Sequence, residues 1–120
     1  NKAGLNKNSN IILVMVYEHR VNYRNFNQFN FMQKPRYLEK IVRGFSNHRR
    51  IEIMALLDKM PELSVMEIAD ELGINFKTAS EHIRRLALVG LVLKRNQGAA
   101  VRHALSPTGR IILKFLRTLE

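Results

Sequence analysis

Between Phe76 and Arg85 the chain sets Lys77, Thr78, Ser80, Glu81, Arg84 and Arg85 close together: three cations, two hydroxyls and one carboxylate. Cations hold phosphate oxygens, while hydroxyls and carboxylates exchange hydrogen bonds with base edges, so this set suits recognition of a polyanion rather than bond-making. Catalysis is not expected. His19, His48, His82 and His103 are far apart and show no metal-ligand spacing. There is no Gly-rich phosphate loop, and no carboxylate pair or Ser/His set stands out. No enzyme, cofactor or metal is therefore expected, and His82 is expected to pack or to form a hydrogen bond rather than to hold a ligand.

These side chains need a rigid carrier, and the flanking residues describe one. Ser64 followed by Glu67 is a capping box, so a helix is predicted from Val65, with Val65, Ile68, Ala69 and Leu72 as its buried stripe. Gly73 supplies a left-handed stop. Asn75 then caps a second helix whose inner stripe is Ala79, Ile83, Leu86 and Val89, closed by Gly90. So short a turn forces a steep crossing, the helix-turn-helix arrangement whose second helix enters a major groove. The outward face then carries Phe76, Lys77, Thr78, Ser80, Glu81 and Arg84. An ordinary helical hairpin with a solvated polar face accounts for the same periodicity.

The residues around this pair predict a small core. Pro35 opens a helix with Tyr37, Leu38, Ile41, Val42 and Phe45 as its apolar stripe. Asn47 caps another, in which Ile51, Ile53, Met54, Leu56 and Leu57 are apolar on more than one side, as a central helix requires. Pro61 ends it. After Gly90 the period changes to that of strands, over residues 91–95 and 101–105, with Asn96-Gln97-Gly98 as the turn and Lys94, Arg95 and Arg102 near the tip. A basic hairpin behind a helix-turn-helix is a wing, which lies on phosphates or in a minor groove. Ser106-Pro107 starts a last helix with Ile111, Ile112, Phe115, Leu116 and Leu119 on one broad face. This face, with Tyr37, Leu38 and Ile41 of the Pro35 helix, is more than so small a core needs. A second copy is the expected cover.

Charge and composition agree with this reading. The 120 residues carry a formal net charge of +10, and 46% are hydrophobic, as a globular chain of one core requires. Residues 32–74 are neutral overall, whereas residues 75–119 carry nine basic side chains against Glu81 alone. A field that starts where the reading helix starts fits duplex DNA better than a membrane surface. There is no cysteine, which is compatible with the cytoplasm and leaves no thiolate metal site. The longest apolar run, Ile11 to Tyr17, falls short of the roughly 20 residues that span a bilayer. A soluble, cytoplasmic protein is expected. Residues 1–31, with asparagine at eight positions, show no helical stripe; a weakly packed extension or an over-extended start is expected there, ahead of a domain over residues 32–120.

From about Tyr37 to Leu119 the chain resembles the ArsR-type winged-helix repressors, with some MarR-type likeness. The resemblance rests on Asn47 to Met54, Leu63 to Ile74, Thr78 to Ile83 and Leu88 to Val92, and for the MarR type on Leu105 to Arg110. It implies a mostly helical (α+β) winged helix-turn-helix with a two-stranded wing and a C-terminal dimerisation helix. It also implies a homodimeric, sequence-specific regulator of transcription on double-stranded DNA. By the same likeness Phe76, Lys77, Thr78, Ser80 and Arg84 match positions facing DNA, and Lys94, Arg95 and Arg102 match the wing. Many such relatives sense metal through cysteine pairs in the third helix or Asp/His sets in the last, and neither is present here. Taken together, the expected DNA-binding residues are Phe76, Lys77, Thr78, Ser80, Glu81, Arg84, Arg85, Lys94, Arg95 and Arg102. The expected dimerisation residues are Tyr37, Leu38, Ile41, Ile112, Phe115, Leu116 and Leu119. The rival reading is a winged helix that binds another protein and touches nucleic acid only non-specifically.

Overall fold

A computed structural model describes residues 34–120; the segment expected to be weakly packed, and its boundary at residue 31, lie outside the described residues. Five helices and one hairpin follow in order: α1 Pro35–Phe45, α2 His48–Lys59, α3 Val65–Leu72, α4 Phe76–Leu88, β1 Val92–Gln97, β2 Ala100–Leu105 and α5 Pro107–Arg117. This is the winged helix-turn-helix order, mostly helical, with a two-stranded antiparallel sheet.

Local chemistry sets most of the boundaries. Asn47 Oδ1 accepts from the Arg49 and Arg50 amides at the start of α2. Ser64 Oγ accepts from the Glu67 amide at 3.1 Å, and Glu67 Oε1 accepts from the Ser64 amide at 2.8 Å, which completes the capping box of α3. Gly73 turns left-handed at φ 67° and ends that helix, at a backbone angle that costs glycine little. Asn75 Oδ1 then accepts from the Thr78 amide, and Ser106 Oγ from the Gly109 amide, at the starts of α4 and α5. Each cap satisfies an amide that the helix itself cannot.

The core is built around α2. Ile53, Met54 and Leu57 are fully buried and meet Ile68 of α3, Ile83 and Leu86 of α4, Leu91 and Val92 at the hairpin base, and Leu113 of α5. Each such side chain contributes about 1.5–3 kcal/mol by leaving water. The stripe of α1 is narrower than its sequence implies: Ile41 and Phe45 enter the core, whereas Tyr37, Leu38 and Val42 stay exposed. Ile41 is thus a core residue at 8% exposure and not part of an open face.

The hairpin differs from expectation in register. Its strands run on to Gln97 and restart at Ala100, so the turn is Gly98-Ala99, with Gly98 at φ 64° as a two-residue loop with glycine in first position allows. Leu91 lies outside the strands, buried beneath α5. The expected basic tip is therefore absent: the last two ladder pairs are Asn96 with Val101 and Gln97 with Ala100, and the charged residues sit in the middle.

Candidate nucleic-acid interface

Helix α4 presents its polar side outward because Ala79, Ile83 and Leu86 are fully buried and fix its rotation. Lys77, Glu81, Arg84 and Leu88 lie on the side opposite this stripe, with Ser80 and Arg85 on its flanks. Phe76 heads the helix about half-exposed, at 52%. No acidic residue occupies its first turn, so the positive end of the helix dipole is left available to an anion.

The cations of this face are not loose. Arg84 grips Glu81 with two parallel bonds, Nε to Oε1 at 3.0 Å and Nη2 to Oε2 at 2.8 Å, and Arg85 Nε adds a third to Oε2 at 3.0 Å. These donors, Arg84 first, pull the Glu81 carboxyl down to about 2 and push Arg84 upward. Glu81 stays ionised throughout the physiological range.

The hairpin shows the same arrangement. Arg95 and Arg102 stand directly across the ladder on one face, a like-charge pair that by itself weakens the sheet. Glu62 takes Arg95 at 2.5 Å, and Glu67 takes Arg102 at 3.2 Å while also serving its cap. Ser64 donors hold the Glu67 carboxyl below its usual range, with a smaller contribution from Arg102. Glu62 sits at φ 70°, in the left-handed region that a residue with a Cβ enters at a cost of roughly 1 kcal/mol. Its amide donates to the His103 carbonyl at 2.8 Å, and the His103 amide donates to the Leu63 carbonyl at 2.9 Å. The loop before α3 thus lines the free edge of β2. Lys94 pairs with His103 on the opposite face of the ladder from Arg95 and Arg102, so the three wing cations do not form one cluster.

Residues 47–94 match the model of the bacterial regulatory protein, arsR family. Over those residues the chain is similar to the ArsR family, and its fold is a winged helix-turn-helix. The chain is 30% identical over 73 residues to a Staphylococcus aureus protein described as a cadmium resistance transcriptional regulatory protein CadC homolog. The match covers 61% of this chain, and the chain spans 60% of the length of that relative. Among solved structures it is similar to a Mycobacterium bovis homodimeric winged helix-turn-helix DNA-binding domain, described as a possible ArsR-family transcriptional regulator. That likeness has TM-score 0.63 and 25% identity over 69% of this chain and 77% of that one. HlyU from Vibrio cholerae gives TM-score 0.62 and 28% identity over 72% of this chain and 92% of that one. The matching family model is described as a regulatory protein, and the Mycobacterium bovis structure as a possible transcriptional regulator.

On this winged-helix frame, Lys77, Arg84, Arg85, Lys94 and Arg95 are exposed, and Thr78, Ser80, Glu81 and Arg102 are half-buried. Among the residues expected to pair two copies, Tyr37, Leu38, Phe115 and Leu119 are exposed, while Ile112 and Leu116 lean on the core. Two features were not visible in the sequence. One is the carboxylate held against each arginine; only the (i, i+3) and (i, i+4) spacing of Glu81 announced its part. The other is Arg50, 9% exposed, whose Nε donates to the Gly44 carbonyl at 2.6 Å and whose Nη1 donates to His82 Nδ1 at 3.2 Å. It ties the end of α1 to the middle of α4. Burial, then the Arg50 charge, holds the His82 imidazole below its ordinary value, so the ring is the neutral acceptor this bond needs. Among the described residues no three His, Asp or Glu side chains are grouped to hold a metal, and no helix is long and apolar enough to cross a membrane.

Proposed function

We propose that this chain is a cytoplasmic, sequence-specific, double-stranded DNA-binding regulator of transcription that acts as a homodimer. The observation that carries the reading is the outward side of α4: a helix fixed by three buried residues, capped by Asn75, with Lys77, Glu81 and Arg84 opposite the buried stripe and Ser80 on its flank. Lys77 and the helix N-terminus attract phosphate, and Arg84, Arg85, Lys94, Arg95 and Arg102 add to that attraction. Thr78, Ser80 and Glu81 are of the right size and chemistry to meet base edges, and Phe76 can meet a thymine methyl.

The homodimer is supported by apolar side chains that the described domain leaves open. Tyr37, Leu38 and Val42 of α1, and Ile111, Phe115 and Leu119 at the other end of the chain, are all exposed. Two copies would set their reading helices about 34 Å apart, one turn of duplex, and match a pseudo-palindromic site. Selection of bound sequences from a random duplex pool, with sedimentation of the free protein, tests both parts. A pseudo-palindrome and a dimer are expected. A pool that remains random after selection, bound by a monomer, contradicts the reading.

A further inference from the structure

We propose that Glu81 is a base-selecting residue: held in place by Arg84 and Arg85, it presents one fixed acceptor to the major groove and favours a cytosine opposite it. This rests on the DNA-binding reading above and assigns a role to its single carboxylate. Acidic side chains are poor partners for a polyanion, yet this one lies on the outward side of α4, one turn beyond Lys77 and far from the buried stripe.

The geometry decides what the carboxylate can still do. Two carboxylate oxygens offer about four acceptor sites. Three are taken, one on Oε1 by Arg84 Nε and two on Oε2 by Arg84 Nη2 and Arg85 Nε. One site on Oε1 is left. A side chain gripped from two sides has few rotamers to lose on binding, so the remaining acceptor arrives already oriented.

The groove floor sorts the bases against such a group. Guanine shows only acceptors at N7 and O6, and thymine shows the O4 acceptor and a methyl. An ionised oxygen facing these is repelled. Adenine has an amino donor, but beside the N7 acceptor. Cytosine offers the N4 amino group without an acceptor on its own edge, and it is the partner that carboxylates take. The flanking arginines keep the local charge positive, so Glu81 can exclude wrong bases without repelling the backbone.

The experiment compares the full chain with Glu81→Gln and Glu81→Asp on the duplex selected by the wild type and on every single base-pair replacement of it. Melting curves confirm that both variants fold, as substitution of a side chain outside the core allows. For the wild type, one position per half-site requires cytosine, and replacing it weakens binding about tenfold. With glutamine that preference falls below about twofold while the other positions keep theirs, because the amide both donates and accepts. Aspartate keeps the charge but withdraws the oxygen, and it loses the same preference. If both variants keep the whole preference pattern, or Glu81→Gln tightens all duplexes by one common factor, Glu81 only competes with phosphate and the proposal is wrong, while the DNA-binding reading stands. A wild type that selects no sequence removes both.

Discussion

Among the described residues, the side of α4 with the hairpin and the apolar faces of α1 and α5 are both left open, but they differ in kind. On the first, the arginines already meet carboxylates: Arg84 and Arg85 on Glu81, Arg95 on Glu62, Arg102 on Glu67. On the second, Tyr37, Leu38, Phe115 and Leu119 project with large apolar area in water. A polar surface can be organised in advance, because hydrogen bonds fix side chains within one chain. An apolar surface is completed only when something covers it, because its stabilisation comes from area removed from water. The first surface is therefore read as one that exchanges ligands, and the second as one that stays covered.

Arg50 connects the two, and its loss should have the largest effect. Arg50→Ala leaves the Gly44 carbonyl and His82 Nδ1 without their donor and removes the packed stem. It is expected to cost about 2–3 kcal/mol, read as a fall in Tm of roughly 10 °C. Retained Tm would mean that α1 and α4 do not depend on this link. Phe115→Glu puts a charge on the apolar surface and should weaken self-association at least about tenfold, with little change in the circular dichroism of the monomer. An unchanged sedimentation profile would separate α5 from dimerisation.

The pH dependence is smaller and has a definite sign. Burial holds His82 and His103 below their ordinary values in the folded chain. As pH falls below about 6.5 the unfolded chain takes up protons on these rings before the folded one does. Stability is therefore full above that pH and declines below it, read as a Tm lower at pH 5 than at pH 7. His82→Gln should flatten part of this slope. The smallest effect is expected for Glu62→Gln, which frees Arg95 from an exposed pair worth under about 1 kcal/mol and should strengthen binding to random duplex severalfold. Unchanged affinity would show that Arg95 does not reach phosphate.

How much of this was legible depends on range along the chain. Ser64, Glu67, Gly73, Asn75 and Ser106 act within three residues of their partners, so the helix boundaries could be read directly. The sequence points to Asn96-Gln97-Gly98 as the turn, whereas the structure turns at Gly98-Ala99, because the pairing of Val92 with Leu105 fixes the register and composition alone does not. Charge was legible as sign but not as partnership: Arg95 meets Glu62 across 33 positions of sequence, and Arg50 meets His82 across 32. Periodicity places Ile41 with the open face because it shows which residues share a stripe, not which part of that stripe a neighbouring helix covers. No cue marked Glu62 as left-handed, since it has neither the glycine nor the asparagine that usually signals such a turn.

The central claim is that α4 and the hairpin form one surface for a duplex, and the salt dependence of binding tests it most directly. The affinity of the wild type for its selected duplex is measured across a salt series beside a folded Lys77→Ala, Arg84→Ala, Arg95→Ala triple variant. Each lost phosphate contact should reduce the slope of log affinity against log salt by about 0.9, so the triple variant should lose between two and three units. A triple variant with the slope and affinity of the wild type would show that the duplex, if bound at all, lies elsewhere on the molecule.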